Sequence, residues 1–286
     1  MKASLESLAT SSLNSFLIRR FEEKNFSAPY HVHPEFELTL ILSGKGKRYV
    51  GSKMNDFYPG DFVLLGSNLP HCWKTESKQK SEKSSSIVIQ FQKDFLGESF
   101  FEKPEMRSIT QLLKKSDSGI RFTNDGPLYN NKMQELSDEK NNFKRVILLL
   151  DLLHLLSLSK KYELLEKQKN NIVIAAGEQQ RLHLVMAYIV EYFKEDVSLI
   201  KAASIANMTP SAFCKYFKRI TRKTFMEAVT DYRVDYAAQQ LINTSHLISQ
   251  ISFDSGFNDL SHFHKTFKGR MQLSPLCYRN TFLNNK

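Results

Sequence analysis

Cysteine is scarce: three in 286 residues, Cys72, Cys214 and Cys277, far apart and with no Cys-x-x-Cys pair. That argues against a disulfide framework or a cysteine-built zinc module and suits a reducing cytoplasm. Long apolar runs are missing as well. The most apolar stretch, Val146–Leu158, has 13 residues and is interrupted by Asp151 and His154. A membrane span needs about 20 apolar residues, so this stretch reads as a buried or partner-packed helix. The N-terminus, MKASLESLATSSLNSF, lacks the unbroken apolar core of a signal peptide. The expectation is a cytoplasmic chain with no membrane partner. One stretch also lacks acid: Lys215–Lys223, KYFKRITRK, holds five cations and no carboxylate.

What is present is enough to fold. Hydrophobic residues make up 41% of the chain and aromatics 12%, too rich for a disordered polymer. The length favours two domains. With 40 Lys and Arg against 30 Asp and Glu the net charge is +10, a balance that fits a polyanionic partner without identifying one.

Before residue 100 the punctuation is that of β structure. Glu37–Leu42 is strand-like and is ended by Ser43-Gly44-Lys45-Gly46. Tyr58-Pro59-Gly60-Asp61 and Ser67-Asn68-Leu69-Pro70 are turns around a strand at Phe62–Leu65. Lys78–Ser86 is a polar loop, and Ile87–Phe91 resumes as a strand. Short strands with closely spaced turns predict a sandwich or barrel. From Met106 the pattern becomes helical: Met106–Lys115, then Asn142–Glu166, whose leucines cover more than one stripe and so predict packing on two sides, the second against another copy of the chain. Residues 166–177 read as a linker, which divides the chain into an N-terminal domain, 1–165, and a helical C-terminal domain, 178–286.

The C-terminal domain contains an internal repeat. Leu199–Ile220 and Ile248–Met271 each read as a short helix, a tight turn at Asn207 or Gly256, and a second helix carrying Phe-x-x-x-Phe. Asn and Gly tolerate the positive φ that such a corner needs. Thr209-Pro210 and Asn258-Asp259 are helix-start signals, and a long helix at Phe225–Ile242 joins the copies. His262 and His264, two apart, point in different directions and cannot chelate one metal from one face. The aromatic stripe faces inward. Ser211, Cys214, Lys215, Lys218 and Arg219 face outward in the first copy, and Ser261, His262, Lys265 and Lys268 in the second. Two duplicated corners with cationic outer faces fit helix–turn–helix units on duplex DNA. The bland alternative is a pair of helical hairpins with solvated faces.

These residues carry a family resemblance. The stretches SIANMTPSAFCKYFKRITRKTFMEAVTDYRVDYAAQQL and ISQISFDSGFNDLSHFHKTFKGRMQLSPLCYR make residues 181–282 similar to the DNA-binding domain of AraC/XylS-type transcription regulators. Gly256-Phe257, Phe263, Phe267-Lys268, Ser274-Pro275 and Arg279 fit its pattern, as do Phe217-Lys218, Phe225, Arg233 and Ala237. Arg222 and Gln272 stand where the family has glycine. By position, the resemblance implies that Ser211, Cys214 and Lys215 in the first unit, and Asp259, Ser261, His262 and Lys265 in the second, lie on the base side. Arg233 and His246 read as structural. The partners it implies are double-stranded DNA, a small-molecule effector, a second copy of the chain, and RNA polymerase.

Near the N-terminus, HVHPEFELTLILSG places His31, His33 and Glu37 at even steps, and His71 follows in NLPHCW. Side chains at even steps of an extended chain share a face. With His71 from a neighbouring strand, the set suits a divalent metal such as Zn, Fe, Mn or Ni, or a polar pocket without metal. Tyr49 and Trp73 are candidate aromatic walls. His-x-His-x-x-x-Glu, Gly44, Pro59-Gly60-Asp61 and Pro70-His71 resemble the cupin β-barrel, although Asn25 stands where the first cupin motif has glycine. The fold expected is two-domain α+β: a cupin-like barrel with trailing helices, then an all-α double helix–turn–helix domain. The function expected is a sequence-specific, effector-controlled transcription regulator with no catalytic residues, the effector being a small molecule such as a sugar. A metal-dependent cupin enzyme with a helical appendage is the competing reading.

Overall fold

The computed structural model describes residues 15–51, 53–75, 83–123, 126–166 and 176–283. The chain divides into two compact units, one made of Ser4–Gly51 with Asp56–Lys169 and the other principally of Asn170–Lys286. The linker read over 166–177 lies mostly outside the described residues, as do the N-terminal stretch up to Asn14 and most of the polar loop from Lys78.

The strands are β1 (Phe16–Glu23), β2 (Phe36–Ser43), β3 (Gly46–Val50), β4 (Lys53–Phe57), β5 (Phe62–Leu65), β6 (His71–Thr75), β7 (Ser84–Phe91), β8 (Ile120–Phe122) and β9 (Tyr162–Leu164). They form a six-stranded sheet in the order β1-β7-β2-β5-β8-β9 and a three-stranded sheet β4-β3-β6. Three helices accompany them: α1 (Arg107–Lys115), α2 (Gly126–Asp138) and α3 (Asn142–Leu158).

Strand parity decides what each face of the larger sheet does. Leu38, opposite Ile89 on one side and Leu64 on the other, belongs to the set Phe36, Leu38, Leu40. This face packs with Phe62, Ile120 and Phe122 against Ile109, Leu112, Met133, Leu149, Leu152 and Leu153 of the helices, all buried. Burying each such side chain contributes about 1.5–3 kcal/mol. The alternate residues, Glu37, Thr39 and Ile41 with Gln90, Val88 and Ser86 opposite, face the barrel interior. There Ile41, Val63 and Leu65 meet Val50, Phe57, Trp73 and Leu165.

Two expectations change. The strand that was to begin at Ile87 begins at Ser84, because Ser84–Ser86 pair with Arg20's neighbours Phe21, Glu22 and Glu23 on β1. The helix that was to run to Glu166 stops at Leu158. Ser159 turns extended, and Tyr162–Leu164 becomes an edge strand on β8. Along α3, Leu149, Leu152, Leu153 and Leu156 are buried, while Phe143, Ile147 and Leu158 are 74%, 51% and 60% exposed.

The second unit is helical: α4 (Ala176–Tyr192), α5 (Leu199–Ile205), α6 (Pro210–Thr221), α7 (Phe225–Asn243), α8 (Ile248–Asp254), α9 (Leu260–Met271) and α10 (Pro275–Leu283). Side-chain caps start several of these helices. Thr209 accepts from the Ala212 amide at α6 and Asp259 from the His262 amide at α9, while Thr224 and Glu227 form a capping box at α7. Each such cap contributes about 1 kcal/mol. The corners bend where the sequence allows: Asn207 has φ 54° and Gly256 φ 87°. At Gly256 a Cβ would lie 2.7 Å from Phe193 O, so this corner needs glycine for space as well as for φ. Phe213, Phe217 and Phe225 form one buried aromatic cluster; Phe257, Phe263 and Phe267 form another. Among the described residues no helix is long and apolar enough to cross a membrane.

Candidate functional site

Two regions hold the residues singled out from the sequence. In the barrel, His31 forms an isolated β-bridge with His71, exchanging backbone hydrogen bonds of 3.0 and 2.9 Å. His33 and Glu37 follow before and on β2. One ligand atom from each of His31, His33, Glu37 and His71 lies within 4.8 Å of the others. The histidine orientations are set from behind. His31 Nδ1 is 2.9 Å from Pro29 O and His71 Nδ1 is 2.8 Å from Leu69 O. A carbonyl can only accept, so both Nδ1 atoms carry a proton and the Nε2 atoms are left to face the cluster. His33 Nδ1 faces Glu35 Oε2 at 3.4 Å, and its Nε2 lies 3.0 Å from Glu37 Oε2.

Glu37 is fixed by neighbours of the same face. Thr39 Oγ1 donates to Oε1 (2.7 Å) and Gln90 Nε2 donates to Oε2 (2.9 Å). Burial pushes the Glu37 carboxyl up, but His71 and His33 outweigh it and hold it well below the usual carboxylate range. Burial, reinforced by the nearby His71, pushes His31 down to about 4. The ring nitrogens of two histidines thus converge on an ionised carboxylate, His33 Nε2 at 3.0 Å and His71 Nε2 at 3.5 Å from Glu37 Oε2. Three imidazoles and one carboxylate, each oriented by a backbone carbonyl, hydroxyl, amide or carboxylate behind it, are a donor set that fits a divalent cation.

His31 and Glu37 of the cluster line a cavity of about 140 Å³. His31, Glu37, Thr39 and Gln90 are its polar side; Phe21, Phe26, Ile41, Trp73 and Val88 are its apolar side, with Arg19 and Glu23 also lining it. Trp73 Nε1 and Gln90 Oε1 have no hydrogen-bond partner, and both residues are buried. Tyr49 is a correction. It was read as a pocket wall, yet β3 places it opposite Cys72, whereas Arg48 is opposite Trp73. Cross-strand partners share a face and neighbours alternate, so Tyr49 points away from the cavity that Trp73 lines. His33 and His71 belong to the cluster but are not among the residues that line the cavity. Arg19, Phe21, Phe26 and Gln90 went unnoticed in the sequence. The even spacing of Arg19, Phe21 and Glu23 along β1 was the available signal.

On the helical unit, the structure exposes all ten residues read as DNA-facing: Ser211, Cys214, Lys215, Lys218 and Arg219 on α6, and Asp259, Ser261, His262, Lys265 and Lys268 at α9. Two have roles within the unit. Arg219 pairs with Glu178, and Asp259 caps α9. Arg222 and Gln272 adopt the left-handed conformation at φ 61° and 60°, so the turns after α6 and α9 keep the geometry for which glycine is the usual residue. Arg233 reads as structural and is so: it donates to Phe193 O (2.7 Å) and Glu195 O (2.8 Å).

A cupin domain model matches residues 18–82 and a helix-turn-helix domain model matches residues 202–281. The chain is 23% identical over 259 residues to YdeC of Bacillus subtilis, an uncharacterized HTH-type transcriptional regulator, across 88% of this chain and 86% of that protein. It is 22% identical over 255 residues to the HTH-type transcriptional activator RhaS of Mannheimia succiniciproducens, across 86% and 87%. Among solved structures, unsaturated fatty acid bound ToxT of Vibrio cholerae aligns over 92% of this chain and 94% of that one, at 15% identity and a TM-score of 0.38. The two domains and the relatives that share them define a DNA-binding transcription regulator. Its helix–turn–helix domain is of the AraC type, and a cupin-like domain lies ahead of it.

Proposed function

We propose that this regulator is controlled by a small hydroxylated molecule of about the size of a monosaccharide, bound in the barrel cavity. One observation carries this reading. Two residues that line the cavity carry buried polar atoms with no hydrogen-bond partner, the donor Trp73 Nε1 and the acceptor Gln90 Oε1. A hydroxyl group answers both, since it donates and accepts, and an apolar ring face matches Trp73 and Phe21. A divalent metal held by His31, His33, Glu37 and His71 would add a Lewis acid toward a ligand oxygen, and the convergence of their four ligand atoms within 4.8 Å supports that part of the reading. No catalytic role is assigned to the barrel.

The regulatory sequence then runs as follows. The sensor domain is 1–165, the linker 166–177 and the DNA-binding domain 178–286. Ser211, Cys214 and Lys215, with Ser261, His262 and Lys265, face base edges, and the other cations face phosphates. The exposed stripe Phe143, Ile147 and Leu158 of α3 pairs two copies. The bound regulator acts on RNA polymerase in the cytoplasm. Ligand shifts DNA occupancy only to the extent that it binds one state of the protein better than another.

Trp73 is the sole tryptophan, so its fluorescence reports cavity filling. Titration with a panel of monosaccharides is expected to shift that emission saturably for one or a few of them and to change DNA affinity with the same midpoint. A flat response across the panel, with a saturable shift from fatty or aromatic acids instead, would sink the hydroxylated-ligand reading.

A further inference from the structure

The two helix–turn–helix units are related by an offset of 50 residues: α6 spans Pro210–Thr221 and α9 spans Leu260–Met271. Their apolar cores repeat at that offset, Phe213 with Phe263 and Phe217 with Phe267. One polar feature does not repeat. Asp231, on the solvent side of α7, takes Lys223 Nζ on Oδ2 at 2.7 Å and Arg270 Nε on Oδ1 at 3.1 Å. Lys223 lies in the turn that ends the first unit, and Arg270 in the last turn of the second unit's outer helix. At the 50-residue offset, Lys223 corresponds to Leu273 and Arg270 to the buried Ile220. The contact is therefore not internal to either unit: each unit contributes one cation and the joining helix contributes the carboxylate.

Beneath it the joint is apolar. Val234, Ala237, Ala238 and Leu241 of α7 pack on Phe263 and Phe267. Apolar burial is non-directional and tolerates a small rotation of one helix against another. A carboxylate with one cation on each oxygen is directional, because charge-assisted hydrogen bonds lose strength as they bend or lengthen. The Asp231 side chain is 19% exposed, which shields the clasp partly from water. Glu227, one turn earlier, accepts its capping bond from the Thr224 amide; Arg270 and Lys218 act on its carboxylate only through space, without an ion-pair contact like those of Asp231.

We propose that Asp231 is a positioning residue that fixes the angle between α6 and α9, and through it the separation of the two base segments the regulator accepts on DNA. This rests on the reading that both helices dock on one duplex. Successive major-groove segments on one face lie about 34 Å apart, so a few degrees at the joint displaces one helix from base edges while leaving its phosphate contacts within reach.

The test uses the full chain and duplexes that the wild type selects from a randomised pool, together with versions one base pair longer or shorter between the two contacted segments. Wild type is expected to discriminate against both altered spacings. Asp231→Asn, nearly isosteric, is expected to lose about threefold to fivefold of that discrimination, the range of a partly exposed ion pair. Arg270→Gln is expected to do the same, and Asp231→Glu to recover part of it. Circular dichroism checks that each variant is folded, and Arg270→Gln serves if Asp231→Asn is not. Two-segment selection by wild type with unchanged spacing discrimination in the variants overturns the clasp alone, even if affinity falls uniformly. Selection of a single segment by wild type overturns the clasp together with the two-helix docking beneath it.

Discussion

The barrel and the helical unit handle charge in opposite ways. The barrel buries it: Arg48 and Asp61 pair with side chains only 1% exposed, and Arg121 adds a second cation to Asp61 at 2.7 Å. The helical unit keeps its cations on α6 and α9 at the surface, where the water-facing sides of both helices are exposed. Buried charges contribute to folding through their partners and become liabilities without them, because an uncompensated ion in low dielectric costs several kcal/mol. Exposed cations contribute little to folding and remain available to phosphates. Substitutions should therefore separate the two units, stability in one and DNA affinity in the other.

The largest effect is expected at Asp61. Asp61→Ala strands Arg48 inside the barrel and removes one partner of Arg121; it is expected to destabilise the barrel by about 3–5 kcal/mol. Trp73 fluorescence in a denaturant titration reports the barrel selectively. A shift below 1 kcal/mol would mean that Arg48 finds another partner, and the contrast between the units would weaken.

His183 breaks the comparison from the other side, since it is a titratable group buried in the helical unit. Burial pushes it down to about 4, against an ordinary value near 6.5. Below pH 6.5 the unfolded chain takes up a proton that the folded His183 refuses. Its neutral form thus adds nothing to pH dependence above about 6.5, and stability falls as the pH drops from there toward 4, by about 2–3 kcal/mol in all. His183→Leu cannot titrate. Comparing acid unfolding of wild type and variant by circular dichroism is expected to show the variant with a shallower loss in that window. Equal slopes would show that His183 already charges in the folded unit.

What could be read from the chain divides along the same line. The outer faces of α6 and α9 were legible because a helix exposes what its periodicity says it exposes, and Phe213, Phe217, Phe263 and Phe267 mark the inner side. His31, His33, Glu37 and His71 were legible as a set because even spacing assigns a face. The strands β1, β3 and β8 were not: Arg19, Arg20, Lys47, Arg48 and Arg121 make them look like solvent-exposed segments. Only the tertiary structure shows that Arg48 has Asp61 and that Arg19 lines a cavity. Tyr49 was misplaced for a related reason. Nothing local tells whether Tyr49 or Arg48 turns inward until the register with Trp73 is known. Helix α3 was overextended because Tyr162–Leu164 owes its strand to pairing with β8, from Phe122↔Tyr162 to Ile120↔Leu164, far apart in sequence.

At the exposed cations the effect moves from stability to affinity. Lys265→Ala is expected to leave the unfolding midpoint within about 0.5 kcal/mol, to weaken binding to selected duplex and to reduce the slope of log affinity against log salt by about 0.9. Parallel salt titrations of wild type and variant measure this. An unchanged slope would place Lys265 away from phosphate and against the reading of α9 as a DNA-facing helix.

The smallest effect sharpens the comparison inside the helical unit. Gln272 holds φ at 60°, a conformation that costs a non-glycine residue about 1–2 kcal/mol. Its Nε2 recovers part of this by donating to Gly269 O at 2.9 Å. Gln272→Gly removes the steric cost, loses that bond and adds freedom to the unfolded chain, so the net gain is expected to be about 0.5 kcal/mol, read as a small rise in the unfolding midpoint of the helical unit. DNA affinity should not change, because the turn keeps its shape and no cation is touched. A fall in stability would mean that the side-chain bond to Gly269 outweighs the backbone cost. A fall in affinity at constant stability would place Gln272 itself against the duplex.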